Sequence, residues 1–350
     1  MREVHEKKWS DLSPIWHEFY QKNQKATPYQ SYEFLTFTKR GKPYRNDLFR
    51  LLGVREWNLV LYRDENPVAI APLLIKKQRG KYKVVLRGHF TAANQLDFIY
   101  DDISYDDFKF LMDYIKSKLG RVSFLLDRIS EKTVTCEYLK KYFSLDCIDE
   151  EECYAIPIAA DYDEWLKGLS RSARGNLSTY CNRLEREGLE WSVDVYCSRH
   201  IDKKLYRKMM YVYADRFVEK NGINLGIFRR PVACLLQAFL MCDRLTRWMS
   251  READSFHAVL SIGPDVAAFA SGVCCRGGRI IVSRLSISTA HSRYGPGGIL
   301  ISSILRYIIA QNKSGAMDIK ELDLSQGGHG GMSYKQTYGG QVHYCYVFHN

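Results

Sequence analysis

Residues 284–309 read RLSISTAHSRYGPGGILISSILRYII. A strand reading RIIVSRLSIS ends here, a loop follows that holds Gly295, Pro296, Gly297 and Gly298, and a helix starts at once. Ile299, Leu300, Ile304, Leu305 and Ile308 give that helix a wide apolar face. Glycine lets the backbone approach a ligand closely and adopt positive φ. The first free N–H groups of a helix, at the positive end of its dipole, form a site for phosphate. The order strand, glycine loop, helix therefore predicts an anion-binding junction at Gly295, Gly297, Gly298 and Ile299. Taken alone, the same loop also reads as a tight connection, because GxGG is a short motif.

Working outward, the preceding segment SFHAVLSIGPDVAAFASGVCC reads as a β-hairpin turned at Gly263-Pro264. Helices are expected at about 202–220 and 230–250, after a strand EWSVDVYC. Before that strand, 163–188 is a basic helix or helix pair closing at Gly188. Downstream, IKELDLS is a strand running into a glycine-rich turn. The first part of the chain follows a similar order. Amphipathic helices are expected at 9–20 and 31–37, then the hairpin WNLVLYRDENPVAIAPLLIKK and the strand KYKVVLRG. A polar segment with Asn94 and Asp97, a helix at 106–119 and a buried strand RVSFLLDRI complete it. The expectation is an α/β (α+β) chain of two related mixed-sheet halves, with helices on both faces, divided as 1–150 and 151–350.

The 350 residues exceed one compact core, and 46% hydrophobic with 26% charged residues is ordinary globular composition. The opening MREVHEKKWSDL has no apolar run, and no stretch approaches the roughly 20 residues of a membrane helix. A cytoplasmic protein without an integral membrane segment is expected. Ten cysteines and nine histidines contain no CxxC pair or short-range ligand pairs, so neither disulfides nor a metal site is expected. A net charge of +11 favours anionic partners, among them phosphorylated cofactors and nucleotide- or lipid-linked sugars.

The stretch YGPGGILISSILRYIIAQ, with KELDLSQGGHGGMSYKQTYGG after it, resembles the acyl-CoA site of GNAT-superfamily acyltransferases. More narrowly it is similar to the tandem-GNAT branch found with cellulose and exopolysaccharide biosynthesis (CelD-like), a branch related to the Fem-type aminoacyl transferases. The residues that carry the likeness are Pro296-Gly297, Asp323, Gly327-Gly328, Tyr334-Lys335 and Tyr338. LSRSARGNLSTYCNRLEREG resembles the branch's basic helix, and PYQSYEFL and PVAIAPLLIKK resemble its opening helix and hairpin.

What the resemblance implies is transfer of an acyl group, acetyl first, from acyl-CoA to an amine, with a degenerate N-terminal half that shapes the acceptor site. Amine attack on a thioester needs a deprotonated amine, a stabilised oxyanion and a protonated leaving thiolate. The resemblance implies Tyr334 or Tyr338 as the acid and Asp323 as the group orienting or deprotonating the amine. His291 and His329 are further candidate bases. Lys335, Arg171 and Arg174 are candidate acceptor-binding residues, the two arginines sharing a helical face with Lys167, Arg183 and Arg186 nearby. The acceptor suggested is an amino sugar or a precursor of a surface polysaccharide, and DNA is not an expected partner. Two alternatives stay open: an aminoacyl-tRNA-dependent Fem-type transferase and a non-catalytic GNAT-fold binding protein. The first is weakened because no long charged helical hairpin is inserted. The segment FIYDDISYDD stands where the first half would need a glycine loop, and its carboxylates would repel phosphate.

Overall fold

The computed structural model of the chain describes residues 1–40, 53–89, 93–220, 232, 254–326 and 334–350. They form two compact units, Met1–Glu152 with His343–Asn350, and Cys153–Val342.

The first unit opens on β1 (Arg2–Lys7), a strand unforeseen in the charged start of the chain. Helices α1 (Ser13–Lys22) and α2 (Tyr32–Arg40) follow. Strands β2 (Val54–Arg63) and β3 (Asn66–Gln78) make the expected hairpin. Its turn residues Asp64 and Glu65 have φ of 49° and 69°, which matches the twist of a two-residue hairpin loop. Next come β4 (Lys81–Leu86), β5 (Ile99–Tyr100), α3 (Tyr105–Leu119), β6 (Val122–Ser130) and α4 (Val134–Tyr142). The sheet runs β1-β2-β3-β4-β6 and is antiparallel except for β4 with β6. Its far strand is the chain's last, β13 (Gln341–His349), antiparallel to β6. Trp16, Phe34, Phe98, Phe108 and Phe124 are fully buried in this unit.

Strand β7 (Ile148–Pro157) leads into the second unit. The basic segment is a helix pair, α5 (Tyr162–Gly168) and α6 (Arg171–Arg186), followed by β8 (Trp191–Cys197) and α7 (Lys203–Lys220). The helix expected at 230–250 lies outside the described residues. Strands β9 (Ser255–Ile262) and β10 (Asp265–Cys275) form the second hairpin, turned at Gly263 with φ +55°. Then come β11 (Arg279–Ile287), α8 (Pro296–Lys313), β12 (Glu321–Gln326) and the short α9 (Tyr334–Thr337). The sheet order is β7-β12-β11-β10-β9-β8, parallel only between β11 and β12. One face packs on α8, through Ile299, Leu300, Ile304 and Ile308 among others. The opposite face packs on α7, where Met209 and Met210 meet Val259 and Phe269.

Each unit repeats one scheme. A hairpin is followed by a third strand, a helix and a strand parallel to the third. An edge strand precedes the hairpin in the sheet: β1 beside β2, and β8 beside β9. The strand beyond the parallel pair does not respect a single cut at residue 150. Residues His343–Asn350 belong to the first unit, and the Cys153–Pro157 part of β7 pairs with β12 in the second. The first unit thus takes its last strand from the second half of the sequence, while the second unit begins at Cys153, close to the expected cut. No described helix is long and apolar enough to cross a membrane.

Candidate functional site

The two parallel strand pairs separate differently. In the first unit β4 and β6 pair from Tyr82/Val122 to Val85/Leu125, and β6 continues to Ser130. The chain itself crosses the opening: Leu96 N–H donates to Arg128 O at 3.1 Å, and the Arg128 guanidinium donates to Ala93 O. Arg128 has φ +61°. The helix that follows, α3, has its N-terminus satisfied internally. Ser104 and Asp107 form a capping box, and Asp107 is fully buried between Arg2 (2.6 Å) and Arg63 (3.2 Å). A carboxylate already occupies the place where a phosphate would bind.

In the second unit β11 and β12 pair only from Arg279/Glu321 to Ile281/Asp323, while β11 runs on to Ile287 and β12 to Gln326. Ser283 is bulged: Ser271 pairs with Arg284, and Gly272 with Val282. Its hydroxyl donates to Ser271 O at 3.3 Å. Ser325, at φ +59°, lies where the register of β12 against β7 shifts between Asp323 and Gln326, and its hydroxyl donates to Val282 O at 2.8 Å. The strands therefore splay, and β11 leads through the 3-10 turn Thr289–Tyr294 into α8. This helix has no side-chain cap and no acidic residue in its first turn. Gly295 is its N-cap in the left-handed region (φ +56°), with Pro296 beginning the helix. No group of three or more His, Cys, Asp or Glu among the described residues could hold a metal ion.

The helix starts three residues earlier than the sequence suggested, so Gly297 and Gly298 lie in its first turn. Gly298 and Ile299 N–H both reach Gly295 O, at 3.0 and 3.3 Å, which takes up two of the expected phosphate donors. Gly297 N–H has no partner among the described residues. The other two glycines serve close packing. A Cβ on Gly295 would lie 2.2 Å from the Tyr180 ring, and one on Gly298 would lie 2.1 Å from Tyr338 Oη. A Cβ on Gly297 would meet only Ile287, at an ordinary 3.5 Å. Gly297 is thus the open glycine, flanked by two closed ones. Tyr180 and Leu177, which cover them from α6, were not marked by the sequence reading, because nothing local says which element a helix face meets.

The structure brings the tyrosines, Asp323 and Lys335 close to the end of β12. Asp323 is fully buried and accepts from Ser325 N–H at 2.7 Å. With no exposed surface it cannot meet an acceptor amine directly, and instead it braces the irregularity of β12 at Ser325. Tyr338 is 8% exposed; burial, with Tyr180 adding, raises its pKa, and its backbone carbonyl accepts from Trp165 Nε1 at 3.2 Å. Tyr338 therefore packs on the start of α8. Tyr334 keeps 47% of its surface exposed, and desolvation, with Tyr338 adding, pushes its phenol up to about 12. The phenol stays protonated at neutral pH, as a proton donor requires.

Lys335 is 7% exposed and donates to the carbonyls of Leu324, Ser325 and Gln326. Its ammonium holds the end of β12, which replaces the expected contact with an acceptor. Burial lowers its pKa to about 8, against the opposing pull of Asp323. Between about pH 8 and the unfolded value near 10.4 the unfolded chain binds more protons at this site, so stability rises with pH there. Urea unfolding at pH 7.5 and 9.5 should show wild type gaining about 1–2 kcal/mol from this site. Lys335→Met should lack that gain, and equal pH responses in the two proteins would refute the assignment.

The basic helix serves structure more than expected. Arg174 donates to Lys167 O (2.9 Å) and Leu169 O (2.6 Å), capping the end of α5. Arg183 donates to Arg293 O, and Arg293 and Tyr294 both reach Glu187, at 2.8 and 2.7 Å. Arg171 is exposed, so the two arginines do not form one site. His291 is half-buried beside Ser288, with Nε2 4.0 Å from Asp265. His329 and Gly327-Gly328 lie outside the described residues.

No family model and no curated protein matches this sequence. Solved structures do. FemX covers 98% of this chain and 96% of its own, with a TM-score of 0.54 at 10% identity. A tandem GNAT protein from the clavulanic acid biosynthesis pathway covers 99% and 98%, with a TM-score of 0.52 at 9% identity. A conserved protein of unknown function from Bacteroides thetaiotaomicron covers 100% and 99%, with a TM-score of 0.51 at 9% identity. The chain has a tandem GNAT-like fold. The likeness extends over both halves.

Proposed function

We propose that the Cys153–Val342 unit is an N-acyltransferase that moves an acyl group, acetyl first, from acyl-CoA to an amine. The observation that carries this reading is the uncapped, glycine-opened start of α8 beside a splayed parallel strand pair. The donor's pyrophosphate would lie at Gly297 N–H and the positive end of α8. The pantetheine would run along β11 beyond Ile281 and carry the thioester into the splay. There the amine attacks the thioester carbonyl, the tetrahedral intermediate collapses, and the CoA thiolate leaves and takes a proton. Tyr334, half-exposed and protonated, is the proposed donor of that proton. Tyr338, Lys335 and Asp323 hold the walls of the splay. Arg171, exposed at the start of α6, would meet an anionic group on the acceptor. The motif likeness to the cellulose and exopolysaccharide branch supports an amino sugar or surface-polysaccharide precursor as that acceptor.

Calorimetric titration with acetyl-CoA and longer acyl-CoAs tests the reading. The expected result is a Kd in the micromolar range, about −8 kcal/mol, followed by acyl-CoA-dependent release of free thiol on screening amino sugars. A folded protein that binds no acyl-CoA would overturn it.

A further inference from the structure

The splay and the helix start leave one reactive cluster of the second unit unused. Cys197, the last residue of β8, and Cys274, in β10, have their Sγ atoms 2.9 Å apart. The two strands flank β9, and the two side chains meet across its beginning. Cys197 pairs with Phe256, Ser198 N–H donates to Ser255 O at 2.8 Å, and Cys274 N–H donates to Asp254 O at 2.7 Å. Both side chains lie on the face packed by α8 and both are partly exposed. A disulfide bond is about 2.0 Å long, so the two sulfurs stand about 0.9 Å beyond bonding distance.

The structure assigns Cys197 and Cys274 as an oxidisable dithiol, a modification site whose reaction partner is a small-molecule disulfide. Cys197 is the attacking sulfur. Its thiolate is favoured by the hydrogen bond from Cys274 and by Arg199 nearby. The Cys274 thiol is held protonated by the same bond and by burial. Among the other described cysteines, burial pushes Cys136 and Cys275 up to about 12 and raises Cys181. The Cys197 thiolate attacks one sulfur of the reagent and expels one thiolate, leaving a mixed disulfide. Cys274 then loses its proton to solvent, attacks Cys197 Sγ and expels the second thiolate. Two protein thiols are oxidised by two electrons, and the reagent's disulfide is reduced to two thiols. The bond ties the edge strand β8 to β10 over the start of β9 and closes the chain from 197 to 274 into a loop.

The full chain should be treated with a small-molecule disulfide such as oxidised glutathione, alkylated, digested and mapped by mass spectrometry. The expected product is one cross-linked peptide pair joining Cys197 to Cys274, with no adduct left at either residue. Melting should rise by about 5–10 °C and return on reduction. Cys274→Ser should stop at a glutathione adduct on Cys197, and Cys197→Ser should give neither product. A stable single adduct on the wild-type protein, or a cross-link elsewhere with these two thiols free, would overturn the assignment.

Discussion

Gly272→Ala is expected to cost the second unit at least about 3 kcal/mol of stability, at the upper end of overpacking effects. A Cβ built on Gly272 would lie 1.8 Å from Ile281 O, 2.7 Å from its carbonyl carbon and 2.9 Å from Val282 Cα. All three atoms belong to backbone, so no rotamer change relieves the clash. Strand β11 would have to move away from β10 where the bulge at Ser283 already breaks the register. The pairs from Gly272/Val282 to Cys275/Arg279 would loosen, and with them the short parallel ladder to β12. Because β11 carries the proposed donor edge, acyl-CoA binding should fall together with stability. Gly175→Ala is the matching control. Nothing lies within 4 Å of its Cβ, it sits inside α6, and its φ is not positive. It should stabilise by about 0.5–1 kcal/mol. Urea unfolding of the three proteins measures both effects. A loss below about 1 kcal/mol for Gly272→Ala would mean that β10 and β11 separate easily and that the bulge is soft.

Gly272 also illustrates what a sequence can disclose. An isolated glycine within a strand signals a bulge or a close backbone approach, and this one marks both. The hairpin turns at Asp64-Glu65 and Gly263 were legible for the same reason: their backbone angles suit only a few residue types. Helix α8 was legible from its apolar face, and its glycine start from local conformation. Other features depend on distant partners. Strand β1 holds its place by pairing with β2, from Arg2/Arg63 to Lys7/Asn58, rather than by an apolar pattern of its own. The placement of β13 with β6 is equally non-local, so a single boundary near residue 150 could not foresee it.

The site shows the same division. Its proposed location rests on the glycines, whereas the hydrogen-bond partners of its charged residues could not be read from the sequence. Arg174 and Lys335 look in sequence like ligands for an anionic or amine substrate, yet both point at carbonyl oxygens of their own chain. Charge type alone does not tell whether a cation faces solvent or an unsatisfied backbone end. Asp323 likewise reads as a catalytic carboxylate at a strand end, and its burial gives it to Ser325 instead.

Gly297→Asp should weaken acyl-CoA binding by 100-fold or more, about 2.7 kcal/mol, while leaving the protein folded. Three observations combine to that end. The Cβ has room, with Ile287 as its nearest neighbour at 3.5 Å, and Gly297 does not have positive φ. An aspartate in the first turn of a helix that has no cap is favoured by the dipole, so stability should hold or rise by a few tenths of a kcal/mol. The carboxylate then stands where the pyrophosphate is proposed to lie, as Asp107 does at the start of α3 in the first unit. Gly297→Ala separates shape from charge, since it fills the same space without the carboxylate, and its affinity should stay within a few-fold of wild type. Titration with acetyl-CoA in dilute and in 0.5 M salt completes the comparison. Repulsion between exposed charges is screened by salt, so part of the aspartate variant's loss should return at high ionic strength. If the aspartate variant binds as tightly as the alanine variant, the phosphate does not sit at the start of α8. If both lose binding equally, the loop's backbone conformation matters rather than its field.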